Sequence, residues 1–402
     1  MDNKRKYIIL VGDGMGDYPL EELGGRTPLE AARTPFMDLV SACHVGYVKT
    51  IPEGMEPGSD VANLSLMGYD PGTYHTGRSP LEAASIGISL APEQVAFRMN
   101  LVTLDHRPGG EIIMVSHSSG DISTGEAADL VESLKDGLNG PGISIYCGVA
   151  YRHLLLWDKG PEDAFTVAPH DVLDRDMAPY LRDQRAGAVP DLIRRSWNIL
   201  EDHPVNRRRR DAGLKEANSV WLWGQGRAPH MPLFRELRGL RGAVISAVDL
   251  LKGIGIYAGL TPIEVPGATG YIDTNYGGKV EAALEALREM DFVFLHVEAP
   301  DEAAHGGQTE EKILAIEYFD ERVVGPVLEG LKTFEDYRVM VVSDHLTPIV
   351  KKTHTADPTP FAWAGKAELG RVSGGPPFSE VSAAASGVLF ESGEALLAEF
   401  LS

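Results

Sequence analysis

The sequence predicts an α/β protein: a doubly wound, mostly parallel sheet core with an inserted α+β domain. Three observations predict it. Short hydrophobic runs alternate with helical segments toward both ends of the 402-residue chain, the pattern of parallel strands joined by crossover helices. Several of those runs end in Asp or His, at the sheet edge where α/β proteins place their chemistry. The middle of the chain has no such endings and shows short strands joined by tight turns instead. The core is therefore expected over residues 1–85 and 218–402, and the insert over 86–217.

Each element follows from local residues. Residues 6–12 are the first buried strand. A Gly- and Pro-rich turn leads to a helix near 29–42, interrupted at Thr34-Pro35 because proline has no N–H to donate. Residues 45–50 form a strand, and the loop 51–59 runs into a helix from about Asp60. In the insert, 96–104 alternates as a strand does, and 111–115 pairs with it across Pro108-Gly109-Gly110. A helix follows to Leu138, then strands at 144–150 and 154–157. Core-type alternation resumes with strands 219–223, 243–247 and 261–265, helix 279–290 and strand 292–297. A helical stretch, 310–333, breaks near Gly325-Pro326, and strand 339–342 comes after it. Arg207 to Arg210 is a dense basic run beside the second boundary. It reads as a solvated surface, with Arg209 as an alternative hinge residue.

Composition narrows the function. The chain is 43% hydrophobic and 24% charged, ordinary for a soluble globular protein. A net charge of -21 argues against a nucleic-acid or anionic-membrane partner and leaves small molecules. Cys43 and Cys147 fit no metal or disulfide pattern and read as packing residues. No signal-type or membrane-spanning apolar stretch is evident, so a cytoplasmic location is expected. Oligomeric state is not readable.

The chemistry gathers at three strand ends. Val339-Met340-Val341-Val342-Ser343 delivers Asp344 and His345, with His354 nine residues on. The 292–297 strand leads into Asp301 and His305, four apart and so on one face of a helical turn. The first strand ends at Asp13. Carboxylate and imidazole together suit borderline divalent cations such as zinc or manganese. Six such ligands are enough for two ions, the arrangement that clamps attacking and leaving oxygens in phosphoryl transfer. Such a site needs an acceptor. Ser59 follows a glycine at the start of a predicted helix, where free N–H groups would receive a phosphate. An ordinary N-cap is the plainer reading of that serine.

With these residues assembled, the chain resembles the cofactor-independent phosphoglycerate mutases of archaeal type, in the alkaline phosphatase superfamily. The match includes Gly12-Asp13-Gly14-Met15-Gly16-Asp17, Gly58-Ser59-Asp60-Val61-Ala62-Asn63-Leu64-Ser65, Pro300-Asp301-Glu302-Ala303-Ala304-His305, Ser343-Asp344-His345 and His354-Thr355-Ala356-Asp357-Pro358. The resemblance implies interconversion of 3- and 2-phosphoglycerate through a transient phosphoserine on Ser59, without 2,3-bisphosphoglycerate. It implies two divalent metal ions, manganese first, with magnesium, cobalt or zinc as alternatives. Asp13, Ser59, Asp344 and His345 would hold one; Asp301, His305 and His354 the other. Arg152 in the insert would grip substrate, with Lys252 as a second substrate-binding candidate and the insert excluding water. One departure stands out. Asp121 occupies a position where the pattern calls for histidine, and His117 lies four residues before it. Two other enzyme readings share the scaffold, an ATP-dependent homoserine kinase-like phosphotransferase and a phosphomonoesterase.

Overall fold

The computed structural model describes residues 5–138, 140, 142–372 and 374–402. It divides into two compact units, one of residues 1–75 and 230–402, the other of residues 76–229. The first is built on an eight-stranded sheet. Across that sheet the strands run Leu389–Phe390, His44–Val48, Thr359–Gly365, Tyr337–Val342, Lys6–Gly12, Phe292–Val297, Gly242–Ile245 and Thr261–Pro262. The last five are mutually parallel. Thr359–Gly365 runs antiparallel to both its neighbours.

The hydrophobic runs read as buried on both faces because they are. Ile8 and Leu10 pack with Val280, Ala283, Leu287 and Phe319 on one face. Tyr7 meets Phe400, and Phe292 meets Phe234, among the aromatic contacts of the unit. Ile8, Leu10, Val293, Leu295, Val339 and Val341 are all fully buried. A side chain of this size contributes about 1.5–3 kcal/mol on burial, so the register of these strands is strongly fixed. That register places Gly12 opposite Val297 and Val11 opposite Val342. Their carboxyl ends therefore finish level, and the residues that follow emerge at one edge.

The second unit is a five-stranded sheet centred on the long strand Gln94–His106. Ile112–Ser116, Arg152–Asp158 and Ser219–Gly226 all pair with it antiparallel. Helices Thr124–Leu138 and Val189–Leu200 contribute Leu130, Leu134, Leu192 and Ile193 to its core.

Several details differ from the expectations. Ser219–Gly226 belongs to this antiparallel sheet rather than to the parallel core, and Arg78–Ser85 also lies in the second unit. The run Val220-Trp221-Leu222 is fully buried there, which gives an antiparallel strand the same hydrophobic signature as a parallel one. Residues 261–265 yield only the two-residue strand Thr261–Pro262. The long helix does not simply break at Gly325-Pro326; a π-turn, Asp320–Val324, precedes it. The Asp320 carboxylate there accepts from the Phe36 and Met37 N–H groups. Cys147 is exposed, so it is not a packing residue. Arg209 is not solvated. It is buried and bonded to Glu126, the Ser119 carbonyl and the Lys215 carbonyl.

Candidate active site

At the level edge of the central strands, six side chains from three segments converge. Asp13 follows Lys6–Gly12, Asp344, His345 and His354 follow Tyr337–Val342, and Asp301 and His305 sit on the helix Ala299–Gly306 after Phe292–Val297. His345 Nε2 lies 3.4 Å from Asp13 Oδ1 and 3.4 Å from Asp344 Oδ2. Asp301 Oδ2 is 3.1 Å from His305 Nε2, and Asp301 Oδ1 is 3.6 Å from His354 Nε2. The two imidazoles approach to 3.0 Å, Nε2 to Nε2. The sequence candidates Asp13, Asp301, His305, Asp344, His345 and His354 are thus gathered into adjoining clusters.

Ser59 joins them. It is the first residue of the helix Ser59–Leu66, whose N-cap is Gly58. Its hydroxyl lies 3.1 Å from His345 Nε2. One turn on, Asn63 donates to the Ser59 carbonyl and to Asp344 Oδ2. Gly14 makes room for the ring of ligands. It has φ +59, and a Cβ there would fall 2.5 Å from Asp301 Oδ1.

The arrangement has too many acceptors. His305 Nδ1 faces the Lys352 carbonyl at 3.0 Å, so it must carry the proton and donate. Neutral His305 then turns a lone pair toward the Asp301 carboxylate. Acceptor facing acceptor is repulsive unless a positive charge lies between them. Without a metal, a proton serves: hydrogen bonding to Asp301 raises His305 to about 9. Burial alone would raise the Asp301 carboxyl, but the bonds from His305 and His354 hold it well below the usual range. Asp13 is pushed well above that range by burial and by Asp344, and its Oδ1 has no hydrogen-bond partner. Burial drives His345 down to about 4, which keeps it neutral. An orphaned buried carboxylate oxygen, neutral imidazoles and clustered acids make a donor set that binds a divalent cation.

Further residues here were not anticipated from sequence. His296 is fully buried inside its strand, with Nε2 2.8 Å from Asp13 Oδ2 and Nδ1 3.2 Å from Ser246 Oγ. Glu298, raised to about 8 by burial and Asp301, stands beside it. Lys312 and Thr347 tie the ligand loops together. None of these carries a readable signal in the sequence, whereas Asn63 does, four residues after Ser59 on one helix face.

The remaining candidates have other partners. Lys252 is a buried residue of the helix Asp249–Tyr257, paired with Glu264 at 2.9 Å and Asp249 at 3.4 Å. Arg152 begins a strand of the second unit, its guanidinium 5.8 Å from the Tyr151 ring centre. That unit also gathers His117 against Tyr151 and His170, and Arg98 over Trp223. Asp121 is exposed, with φ 53.

The chain is similar to known proteins over nearly its whole length. A family model for 2,3-bisphosphoglycerate-independent phosphoglycerate mutase matches residues 41–206. An enzyme of that name from Methanothrix thermoacetophila is 54% identical over 385 residues, covering 95% of this chain and 96% of that protein. A solved Pyrococcus horikoshii structure superposes with TM-score 0.82 at 29% identity, covering 99% of this chain and 97% of that one. The cofactor-independent phosphoglycerate mutase of Thermoplasma acidophilum gives 0.62 at 27% identity, covering 99% of each chain. The chain belongs to the 2,3-bisphosphoglycerate-independent phosphoglycerate mutase family.

Proposed function

We propose that this protein interconverts 3-phosphoglycerate and 2-phosphoglycerate by metal-dependent phosphoryl transfer through Ser59. The observation that carries the reading is the Ser59 hydroxyl, 3.1 Å from His345 Nε2 within the acid and imidazole cluster. Asp13, Ser59, Asp344 and His345 would hold one divalent ion, and Asp301, His305 and His354 a second, with manganese the first choice. Bound cations of this kind supply Lewis acidity and lower the pKa of a hydroxyl nucleophile. Ser59 Oγ gives up its proton and forms a bond to phosphorus as the bond from phosphorus to the substrate's C3 oxygen breaks, and that oxygen takes up a proton to leave as a glycerate hydroxyl. Glycerate then turns, and its C2 oxygen takes the phosphoryl group back. The N–H groups of the first helical turn after Gly58 face the phosphoserine and favour its charge. Arg152 would grip the substrate carboxylate or phosphate by bidentate contact. Lys252, paired with Glu264 and Asp249, would be a second substrate contact. The second unit serves to exclude water, which would otherwise hydrolyse the phosphoserine.

The test is an enolase-coupled assay of manganese-loaded protein with 3-phosphoglycerate and no 2,3-bisphosphoglycerate. Turnover is expected, and Ser59→Ala should reduce it by about 10³-fold or more. Release of free phosphate alone, or phosphorylation of homoserine by ATP without mutase turnover, would overturn the proposal.

A further inference from the structure

We propose that Thr347 is a positioning residue that holds His345 in the tautomer with Nδ1 protonated, and so turns the Nε2 lone pair into the active site. The argument is a count of protons. Thr347 Oγ1 lies 2.6 Å from Asp301 Oδ1 and 3.1 Å from His345 Nδ1. An ionised carboxylate only accepts, and a threonine hydroxyl has one proton to give. That proton goes to Asp301. The oxygen can then meet His345 only as an acceptor, so Nδ1 must carry the ring proton. Nε2 is left bare, 3.1 Å from Ser59 Oγ and 3.4 Å from one oxygen each of Asp13 and Asp344.

One hydroxyl therefore touches both ligand groups, Asp301 in one and His345 in the other. Its own place is fixed from three directions. The Thr347 N–H donates to the Gly16 carbonyl at 3.2 Å. The Thr347 carbonyl accepts from Lys312 Nζ at 3.0 Å. Gly14 leaves the space, since a Cβ there would stand 2.7 Å from Thr347 Oγ1. The side chain is fully buried, so water cannot replace the hydroxyl at low cost.

The inference rests on the reading of Asp13, Ser59, Asp344 and His345 as one ligand set, but its test does not pass through catalysis. Histidine-selective ¹⁵N NMR of metal-free enzyme at neutral pH reports the tautomer directly, with His345 assigned by the loss of its signals in His345→Gln. The wild type should show the Nδ1-protonated form. Thr347→Val, which keeps the shape and removes the hydroxyl, should shift His345 toward the Nε2-protonated form. It should also weaken manganese binding by about 10–100-fold in calorimetry. Thr347→Ser should restore both properties. A wild-type His345 protonated at Nε2 would overturn the inference, as would a Thr347→Val variant with unchanged tautomer and affinity. If Thr347→Val does not fold, the wild-type spectrum and the Thr347→Ser spectrum decide. A protein that shows the expected tautomer and metal titration but no mutase turnover would sink the proposed substrate and leave the role of Thr347 standing.

Discussion

Lys312 is the residue whose loss should cost most for its distance from the chemistry. Its ammonium is fully buried and spends all three protons: on Asp17 Oδ2 at 2.7 Å, the Gly16 carbonyl at 3.1 Å and the Thr347 carbonyl at 3.0 Å. Burial lowers its pKa and the Asp17 carboxylate opposes that shift, so the two charges are held as a pair. Lys312→Met keeps most of the stem's volume and deletes the charge. The Gly16 carbonyl still accepts from the Thr347 N–H. Asp17 keeps the N–H groups of Tyr18 and Ile349. The Thr347 carbonyl loses its ammonium partner, at about 1 kcal/mol. An unpaired buried charge costs about 3–5 kcal/mol, and the surviving N–H bonds to Asp17 favour the lower figure. The sum is about 4 kcal/mol, a large part of a typical folding stability of about 5–15 kcal/mol. Equilibrium urea unfolding of the metal-free protein measures it. In a double-mutant cycle, Asp17→Asn with Lys312→Met should lose about 2 kcal/mol less than the two single losses added. A loss below about 1 kcal/mol for Lys312→Met, or strict additivity in the cycle, would refute the reasoning.

Two further outcomes follow from charges elsewhere. Adding manganese to chelator-stripped protein should raise the melting temperature, by the equivalent of about 2.7 kcal/mol when free metal is 100 times the dissociation constant; a melting curve unmoved by millimolar manganese would contradict the acceptor-crowding argument. In the second unit, buried His153 accepts from the Gly148 N–H, and burial lowers its pKa from 6.5 to about 4. The unfolded chain takes up that proton at higher pH than the folded one, so the contribution is full above pH 6.5 and is lost as pH falls to about 4. The loss is about 3 kcal/mol, read by fluorescence-detected unfolding of Trp157, Trp197, Trp221 and Trp223, and His153→Asn should flatten it.

The sequence disclosed those parts whose signal is local. Residues 6–12, 292–297 and 339–342 are continuous hydrophobic runs because both faces of each strand are covered. The Asp301 and His305 pair shows through its spacing on one turn. The strand Thr359–Gly365 is not legible because Pro360 near its start interrupts the usual pattern. Ser219–Gly226 reads as a parallel core strand, since burial alone does not say which neighbour a strand will meet. His296 was hidden for a related reason. Within Phe292–Val297 it reads as one more strand residue, and only the approach of Asp13 and Ser246 gives it a task. Arg209 looked solvated because three arginines surround it in sequence, yet the helix Pro204–Asp211 turns it alone inward. Lys312 and Thr347 carry no motif at all. Their roles exist only once the loops after two different strands lie against one helix.

The acid cluster also explains why so much hydrogen bonding surrounds it. Asp13, Asp301 and Asp344 are all buried within one edge of the sheet, with Glu298 alongside. Left ionised together, they would repel one another in a medium that screens poorly. Burial and mutual charge therefore push Asp13 and Glu298 upward, and Asp301 draws a proton onto His305. In the metal-free state, protons occupy the places that positive charge must fill. A divalent ion entering the site expels them, so its binding is a competition that strengthens as pH rises. The competition is productive only if the ligand atoms stay put while the protons leave. Neutral acids and bound cations prefer different distances, and a soft site would collapse around one of them. The fully buried strands below and the bonds from Asn63, Ser246, Lys312 and Thr347 around the rim resist that collapse. The residues that never touch the reacting atoms therefore decide whether the site is ready for the metal.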